Sequence, residues 1–558
     1  MTKASRPPFL SQGGRISHQI IDRSVNCCCF LNSIPTHLSI SAPVVPSLAA
    51  PVFLTTMASS WCWNCLSRLR PSPRALLPPS ATPRISSAPF HSTAVHYAQP
   101  AKKKGNSMTV VKHRQSTSLR RKKKKVADRG GRPPAVGERK ALRKRIVLSN
   151  PNALEIEGML ELSPETMVDS RLRGTVLGLP VPMIDQLRAV QAFKPKQGWS
   201  IFRRPGTVLR RDTIEMGRLF EQISGEGNEA QKGKVVKKIV TGMKGSGKTV
   251  HLLQAMAMGF LKKWAVVTIP DARDLVSGDT AYAALEGSNP VQYVQPSATS
   301  ALLTRTVEAN RELLASLQVS QKHPALKMLK PNSTLEDLAK LGFNDPAVSW
   351  RVFQALWTEL TATAPAAGLE KDFKPRPPML VAVDGLAHWM TESAYRSAEY
   401  KPIHAHDLAF VHHFLSLMKE GDSLKNGGLV LYATSFSNSP NPSALKIALD
   451  RLAAHQAGIS ASSSEYPQLP AYSDADPRVL ELLQPAEKTA SPLELQTLGG
   501  LTRDEARGFM EYFARSGLLR EIINDQWVSE KWSLSGGGII GELEKFGRRV
   551  RATASVSK

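Results

Sequence analysis

Val235-Val236-Lys237-Lys238-Ile239-Val240-Thr241-Gly242-Met243-Lys244-Gly245-Ser246-Gly247-Lys248-Thr249 joins a β-branched run to a glycine-rich turn closed by Lys-Thr. Val235 to Thr241 has the composition of a strand. From Lys248, the apolar positions Val250, Leu252, Leu253, Met256, Met258 and Leu261 suit a largely buried helix reaching Lys263. Trp264-Ala265-Val266-Val267-Thr268-Ile269 then reads as a second strand. Strand, G-x-x-x-x-G-K-T, helix, strand is the context a P-loop requires, and it predicts an α/β fold with a parallel sheet.

Each residue type in the loop has a chemical reason. Gly242, Gly245 and Gly247 admit backbone conformations closed to other residues and turn successive N–H groups of Gly242, Met243, Lys244, Gly245, Ser246 and Gly247 toward an anion. The helix that follows presents its unpaired N–H groups and positive dipole end to the same phosphates. Lys248 supplies a charge for the β- and γ-phosphates, and the Thr249 hydroxyl suits Mg²⁺. The expected ligand is a purine nucleoside triphosphate with Mg²⁺.

A partner acid belongs at the end of a buried strand. Met379-Leu380-Val381-Ala382-Val383-Asp384 supplies five apolar residues and then a carboxylate able to hold Mg²⁺ through water. A further apolar run, Gly428-Leu429-Val430-Leu431-Tyr432-Ala433, ends in Thr434-Ser435, small polar residues within reach of a γ-phosphate or an attacking water. Gly385 occupies the position after Asp384 where many additional-strand ATPases carry a catalytic glutamate. No catalytic base can be named, so slow turnover or none is expected. No Asn-Lys-x-Asp guanine-reading run occurs, which argues against the translational GTPases. His404, His406, His412 and His413 cluster without carboxylates at ligand spacing and read as loop or core histidines.

Charge divides the chain of 558 residues unequally. The formal net charge is +26. Residues 1–100 contribute +7 and residues 101–146 contribute +16, which leaves the remainder nearly neutral. All five cysteines precede residue 66, so the body has no disulfide framework. From Met57 to residue 98 the chain is rich in Arg, Ser, Ala and Pro and free of acids, as a mitochondrial transit peptide is. Processing is expected between Phe90 and Gln99 and localisation in the matrix. Because such a peptide should begin a protein, residues 1–56 read as an upstream extension absent from the major product. The apolar run 40–56 is broken by Pro43, Pro46 and Pro51 and does not read as a membrane span.

Residues 99–147 read as a disordered basic arm. Its clusters are Lys102 to Lys104, Arg120 to Lys125, Arg139-Lys140 and Arg143 to Arg145, with no Phe, Trp or Tyr from Ala101 to Ile146. Lacking rings on which unpaired bases could stack, the arm suits salt-sensitive phosphate contact along structured RNA. The expected division of the rest is an extended N-terminal region at 148–232, a P-loop NTPase domain at 233–460, a linker at 461–490 and a C-terminal lid at 491–558. Within that lid, 491–519 reads as two helices, 518–528 with 532–534 as a hairpin, and a short helix closes it, giving a small helical or winged-helix-like domain.

Five segments together resemble the death-associated protein 3 family of the mitochondrial ribosomal small subunit. They are GWSIFRRP (198–205), the P-loop (242–249), YVQP (293–296), LVAVDG (380–385) and VSEKWSLSGGGIIGEL (528–543). With their flanks they span 177–546, and the tryptophan-centred last segment is more specific than the P-loop. The resemblance implies an AAA-like fold and a bound nucleotide, GTP being favoured and ATP the alternative. It also implies a structural place in the head of the small subunit beside ribosomal RNA, other small-subunit proteins and a bridge to the large subunit. The competing expectation is a mitochondrial AAA-type ATPase that remodels nucleic acid or protein. Family membership also suggests an adaptor role in cell death, which no residue here supports.

Overall fold

The computed structural model describes residues 146–549 apart from 226–232, 331, 368–372, 420–423, 436–438, 471 and 485–490. The expected extension at 1–56, the transit peptide at 57–98, all five cysteines and the basic arm as far as residue 145 lie outside the described residues.

The described chain begins with α1 (Pro164–Val168), β1 (Val176–Gly178), α2 (Val181–Ala189), β2 (Gly206–Val208) and α3 (Arg211–Ser224). The P-loop unit follows as β3 (Val235–Gly242), α4 (Lys248–Leu261) and β4 (Ala265–Ile269). Next come the short pair β5 (Ala283–Ala284) and β6 (Tyr293–Val294), then the helices α5 (Pro296–Ala309), α6 (Arg311–Ser316), α7 (Leu335–Asn344) and α8 (Ser349–Leu360). The strand β7 (Met379–Asp384) leads to the hairpin β8 (Glu392–Arg396) and β9 (Pro402–His404), then α9 (Ala409–Lys419), β10 (Gly428–Ala433), α10 (Ser443–Gln456) and α11 (Pro477–Leu482). The last elements are β11 (Leu493–Leu498), α12 (Arg503–Arg515), α13 (Asp525–Leu534) and α14 (Ile540–Arg549).

Five of these strands form one parallel sheet in the order β11-β3-β10-β7-β4. An extra strand, β10, therefore stands between the P-loop strand and the acid-bearing strand, which is the AAA-like arrangement. Sheet faces follow the period of two. Leu380, Ala382, Leu429 and Leu431 pack with Leu252, Leu253, Met256 and Phe220 from α4 and α3. Val381, Val383, Val430 and Tyr432 face the opposite layer with Leu303, Phe353, Phe410 and Phe414. Both faces are covered, so β4, β7 and β10 are apolar apart from Thr268 and the terminal Asp384, as parallel strands between helices are.

Three expectations differ from this structure. The extended region at 148–232 is folded: α2 and α3 place Met183, Leu187, Ile214 and Phe220 in the core beside the P-loop helix. A sequence rich in Pro and Gly looks loose, yet short elements can bury their apolar residues against a neighbour. The lid boundary at 491 cuts the main sheet, because Leu493–Leu498 is its edge strand and not the first of two helices. An edge strand carries polar residues (Glu494, Gln496 and Thr497), so the continuous apolar signal is missing. The hairpin expected near 518–534 is helical instead. Asn524 accepts from the Trp527 amide at 2.7 Å and starts α13. The C-terminal part is thus three helices, and the interval at 461–490 also contains α11, capped by Asp476.

Several histidines, buried (His251) or half-buried (His406 and His413), are held as neutral rings. Burial pushes His251 and His413 down to about 4 and His406 down to about 3, with His404 adding repulsion to the last. Among the described residues no group of three or more His, Cys, Asp or Glu could hold a metal. A base whose folded value lies below its unfolded value, about 6.5, stabilises the fold fully above that value and loses the contribution as pH falls. Thermal melts should therefore show stability declining from pH 7 to pH 5, by up to about 2 kcal/mol for His251 alone. A flat profile over that window would refute the neutral buried rings.

Candidate functional site

The register of the parallel sheet brings the expected site residues to one edge. Ala433 pairs with Asp384 on one side and with Val240 on the other, so the ends of β3, β10 and β7 lie level. The strand-end carboxylate meets the P-loop helix there: Thr249 Oγ1 donates to Asp384 Oδ2 at 2.9 Å. The two residues expected to share Mg²⁺, 135 positions apart in the chain, thus form one cluster.

The loop has the conformation its glycines allow. Gly242, Gly245 and Gly247 have φ of 140°, 84° and 98°. A Cβ at Gly242 would stand 2.3 Å from the Leu498 carbonyl oxygen of the edge strand, so no larger residue fits. Met243 and Lys244 point their side chains outward at the tip, leaving their backbone as what they offer a ligand. Gly247 caps α4, whose first turn carries Lys248 and Thr249.

Lys248 is 8% exposed, and its Nζ donates to the carbonyls of Gly242 at 2.8 Å and Met243 at 2.9 Å. Burial pushes its ammonium down to about 8, against the pull of the Asp384 carboxylate. Burial also raises Asp384 above its ordinary value, opposed by Lys194, the Thr249 hydroxyl and Lys248. Ser246 Oγ is buried and makes no hydrogen bond. An orphaned hydroxyl, a buried cation and a costly buried carboxylate beside a threonine are what a Mg²⁺–triphosphate group would satisfy, so the residues fit it. Held there, it would place phosphate oxygens on the loop amides and Lys248 and the metal near Thr249 and Asp384. Asp384→Asn should therefore make nucleotide affinity insensitive to Mg²⁺. Calorimetry with and without EDTA reads this, and a retained Mg²⁺ dependence would exclude the carboxylate.

Thr434, expected within reach of a γ-phosphate, is buried at the end of β10. Its hydroxyl donates to the Val240 carbonyl and the Thr241 hydroxyl, both at 3.3 Å, so it ties β10 to β3. Ser435 follows it, half-buried.

Sequence reading missed three contributors. Arg210, 6% exposed, donates to Ser246 O and Gly499 O, both at 3.0 Å, and pairs with Asp212 at 2.8 Å. Lys194 donates to the Pro270 carbonyl at the end of β4 and leads the charges that lower Asp384. Gly541, at the start of α14, donates its N–H to Gly245 O at 3.0 Å. Arg210 and Lys194 belong to no spaced motif, and nothing in the 528–543 segment signals that its Gly541 meets the P-loop. Arg210 and Gly541 reach the loop, and Lys194 the end of β4 near Asp384, from elements far away in sequence.

Residues 207–546 match the family model described as mitochondrial ribosomal death-associated protein 3. The small ribosomal subunit protein mS29 of Neurospora crassa is 36% identical over 492 residues, covering 88% of this chain and 98% of that protein. Among solved structures, the Walker-type ATPase PABY2304 of Pyrococcus abyssi aligns with TM-score 0.30 and 16% identity, over 61% of this chain and 68% of that one. The Orc1 protein of Aeropyrum pernix, solved in complex with DNA, aligns with TM-score 0.26 and 14% identity, over 61% and 59%.

Proposed function

The chain belongs to the mitochondrial ribosomal death-associated protein 3 family, and on that premise we propose that it is a structural protein of the mitochondrial small ribosomal subunit that holds a purine nucleoside triphosphate. The observation that carries the ribosomal part is the likeness to mS29, which runs through nearly the whole of that relative. The matrix ribosome is the corresponding location. The nucleotide part rests on the P-loop conformation and the Thr249–Asp384 pair. GTP is the nucleotide favoured by the resemblance, and ATP is the alternative, since the sequence has no Asn-Lys-x-Asp run.

Slow or absent turnover is part of this reading. Gly385 follows Asp384 with φ of 90°, a conformation that favours glycine, so the position directly after the acid carries no carboxylate. The bound nucleotide then serves as a structural component or a switch. Partners in this reading are ribosomal RNA, neighbouring small-subunit proteins and, at a bridge, the large subunit. The basic clusters at 101–145 supply sequence-tolerant phosphate contact. No described helix is long and apolar enough to cross a membrane. The parallel sheet with its extra strand also suits the second reading, a remodelling ATPase of the AAA type.

Sedimentation of mitochondrial lysate on a sucrose gradient separates the two. The protein should travel with the small subunit and the intact ribosome and leave them only at high salt or on chelation. Deleting 101–145 should weaken that association and flatten its salt dependence. A light peak or a hexamer-sized complex free of ribosomal RNA would establish the ATPase reading instead.

A further inference from the structure

The carbonyl side of the P-loop is held by parts of the chain that follow the sheet. Gly541 N donates to Gly245 O. A Cβ at Gly245 would lie 3.3 Å from Ile539 Cγ2, and one at Gly247 would lie 3.3 Å from Ile540 Cγ2. A Cβ at Gly541 itself would come within 3.2 Å of Gly245 Cα and O, so glycine meets glycine here because backbones touch. Behind this contact the run Gly536-Gly537-Gly538 has positive φ throughout, between 73° and 84°. Leu501 N donates to Gly538 O at 2.7 Å, and Trp532 Nε1 donates to Leu501 O at 2.7 Å. Arg210 completes the frame by bonding both Ser246 O in the loop and Gly499 O after the edge strand.

A P-loop binds phosphate with its amides, and amides point opposite to the carbonyls of the same peptide groups. Gly245 O shares its peptide group with Ser246 N–H, which donates to Met243 O at 3.2 Å, and Ser246 O shares its own with Gly247 N–H, so donors on these two carbonyls fix the loop's inner turn and the direction in which its amides face. We propose that residues 536–542 form a clasp on the P-loop, so that nucleotide occupancy and docking of α14 reinforce each other. This rests on the nucleotide reading and adds its regulation. Coupling of this kind is reciprocal: whatever factor the docked clasp contributes to nucleotide affinity, bound nucleotide returns to the docking of the clasp. The tryptophan-centred segment at 528–543, remote in sequence from the P-loop, then has a physical task at the nucleotide site.

The test combines calorimetry with hydrogen exchange on the full chain, using Mg²⁺–GTP and Mg²⁺–ATP. Nucleotide should slow exchange in the P-loop and also across 536–549. Gly541→Pro removes the N–H donor in the first turn of α14 and adds a Cβ within 3.2 Å of Gly245 Cα and O, so it breaks the contact on both counts. It should lower affinity about tenfold and abolish the exchange response of 536–549. Ile540→Ala, at a half-buried position, is the milder second variant and should weaken affinity in the same direction. Binding with a protected P-loop but unchanged exchange at 536–549 would overturn the clasp and leave the nucleotide reading intact. Unaltered affinity in both variants would also overturn it. If neither nucleotide binds the unmodified chain, the nucleotide reading falls and the clasp with it.

Discussion

Lys248→Ala should weaken nucleotide binding by roughly 100-fold or more. Its ammonium is the one charge that the loop itself buries, held on the carbonyls of Gly242 and Met243. Burial lowers it to about 8, so the folded protein bears a cost for keeping a cation there. A phosphate group repays that cost by restoring full protonation in a charge-assisted hydrogen bond. Losing it removes about 3 kcal/mol of ligand interaction. Because a lysine held below its ordinary value does not stabilise the fold, the variant should remain folded. Titration calorimetry with Mg²⁺–GTP and Mg²⁺–ATP measures the change, and wild-type affinity in the variant would remove the P-loop from the binding site.

The largest expected effect on stability lies away from the nucleotide. Arg376→Ala should destabilise the fold by about 3–5 kcal/mol, read as a fall in the urea midpoint. The side chains of Arg376 and Glu359 are both fully buried and pair at 3.0 Å. Arg376 also donates to the carbonyls of Gln318 and Glu359. Glu359 accepts from the amides of Ser320 and Gln321, from the Ser320 hydroxyl and from His323 at 2.9 Å. Burial alone would raise its carboxyl, and the bonds from His323, Ser320 and Gln321 outweigh that and hold it below the ordinary value. Removing the guanidinium strands a charged carboxylate in the interior. Arg376 lies three residues before β7, so the same ion pair anchors the approach to the strand that ends in Asp384. A change below about 1 kcal/mol would mean that water reaches the pair.

Much of this site was legible in order along the chain. The spacing from Gly242 to Thr249 carries its own geometry, because the chemistry of a phosphate cradle is local: glycines, a helix start, a lysine and a hydroxyl within eight residues. The acid-bearing strand was legible for another local reason, since a strand buried on both faces must be apolar throughout and its terminal Asp384 stands out. The edge strand Leu493–Leu498 was not legible as a strand. Its partner on one side is β3, more than 250 residues earlier, and its other side has none in the sheet, so its polar residues gave no continuous signal. The helix Asp525–Leu534 was misread because aromatic residues near a glycine run suit a hairpin equally well until packing chooses.

By itself the sequence determined the P-loop, the acid paired with it, the α/β class and the family. These depend on residue types at short spacing, where a few covalent bonds fix which groups can meet. Only the tertiary structure decided that Thr249 bonds Asp384, that the Thr434 hydroxyl lies against β3, that Arg210 and Gly541 bond the loop, and that Lys194 comes to the end of β4 near Asp384. Those contacts are set by strand order and by helices folding back over long separations, and no local spacing encodes them.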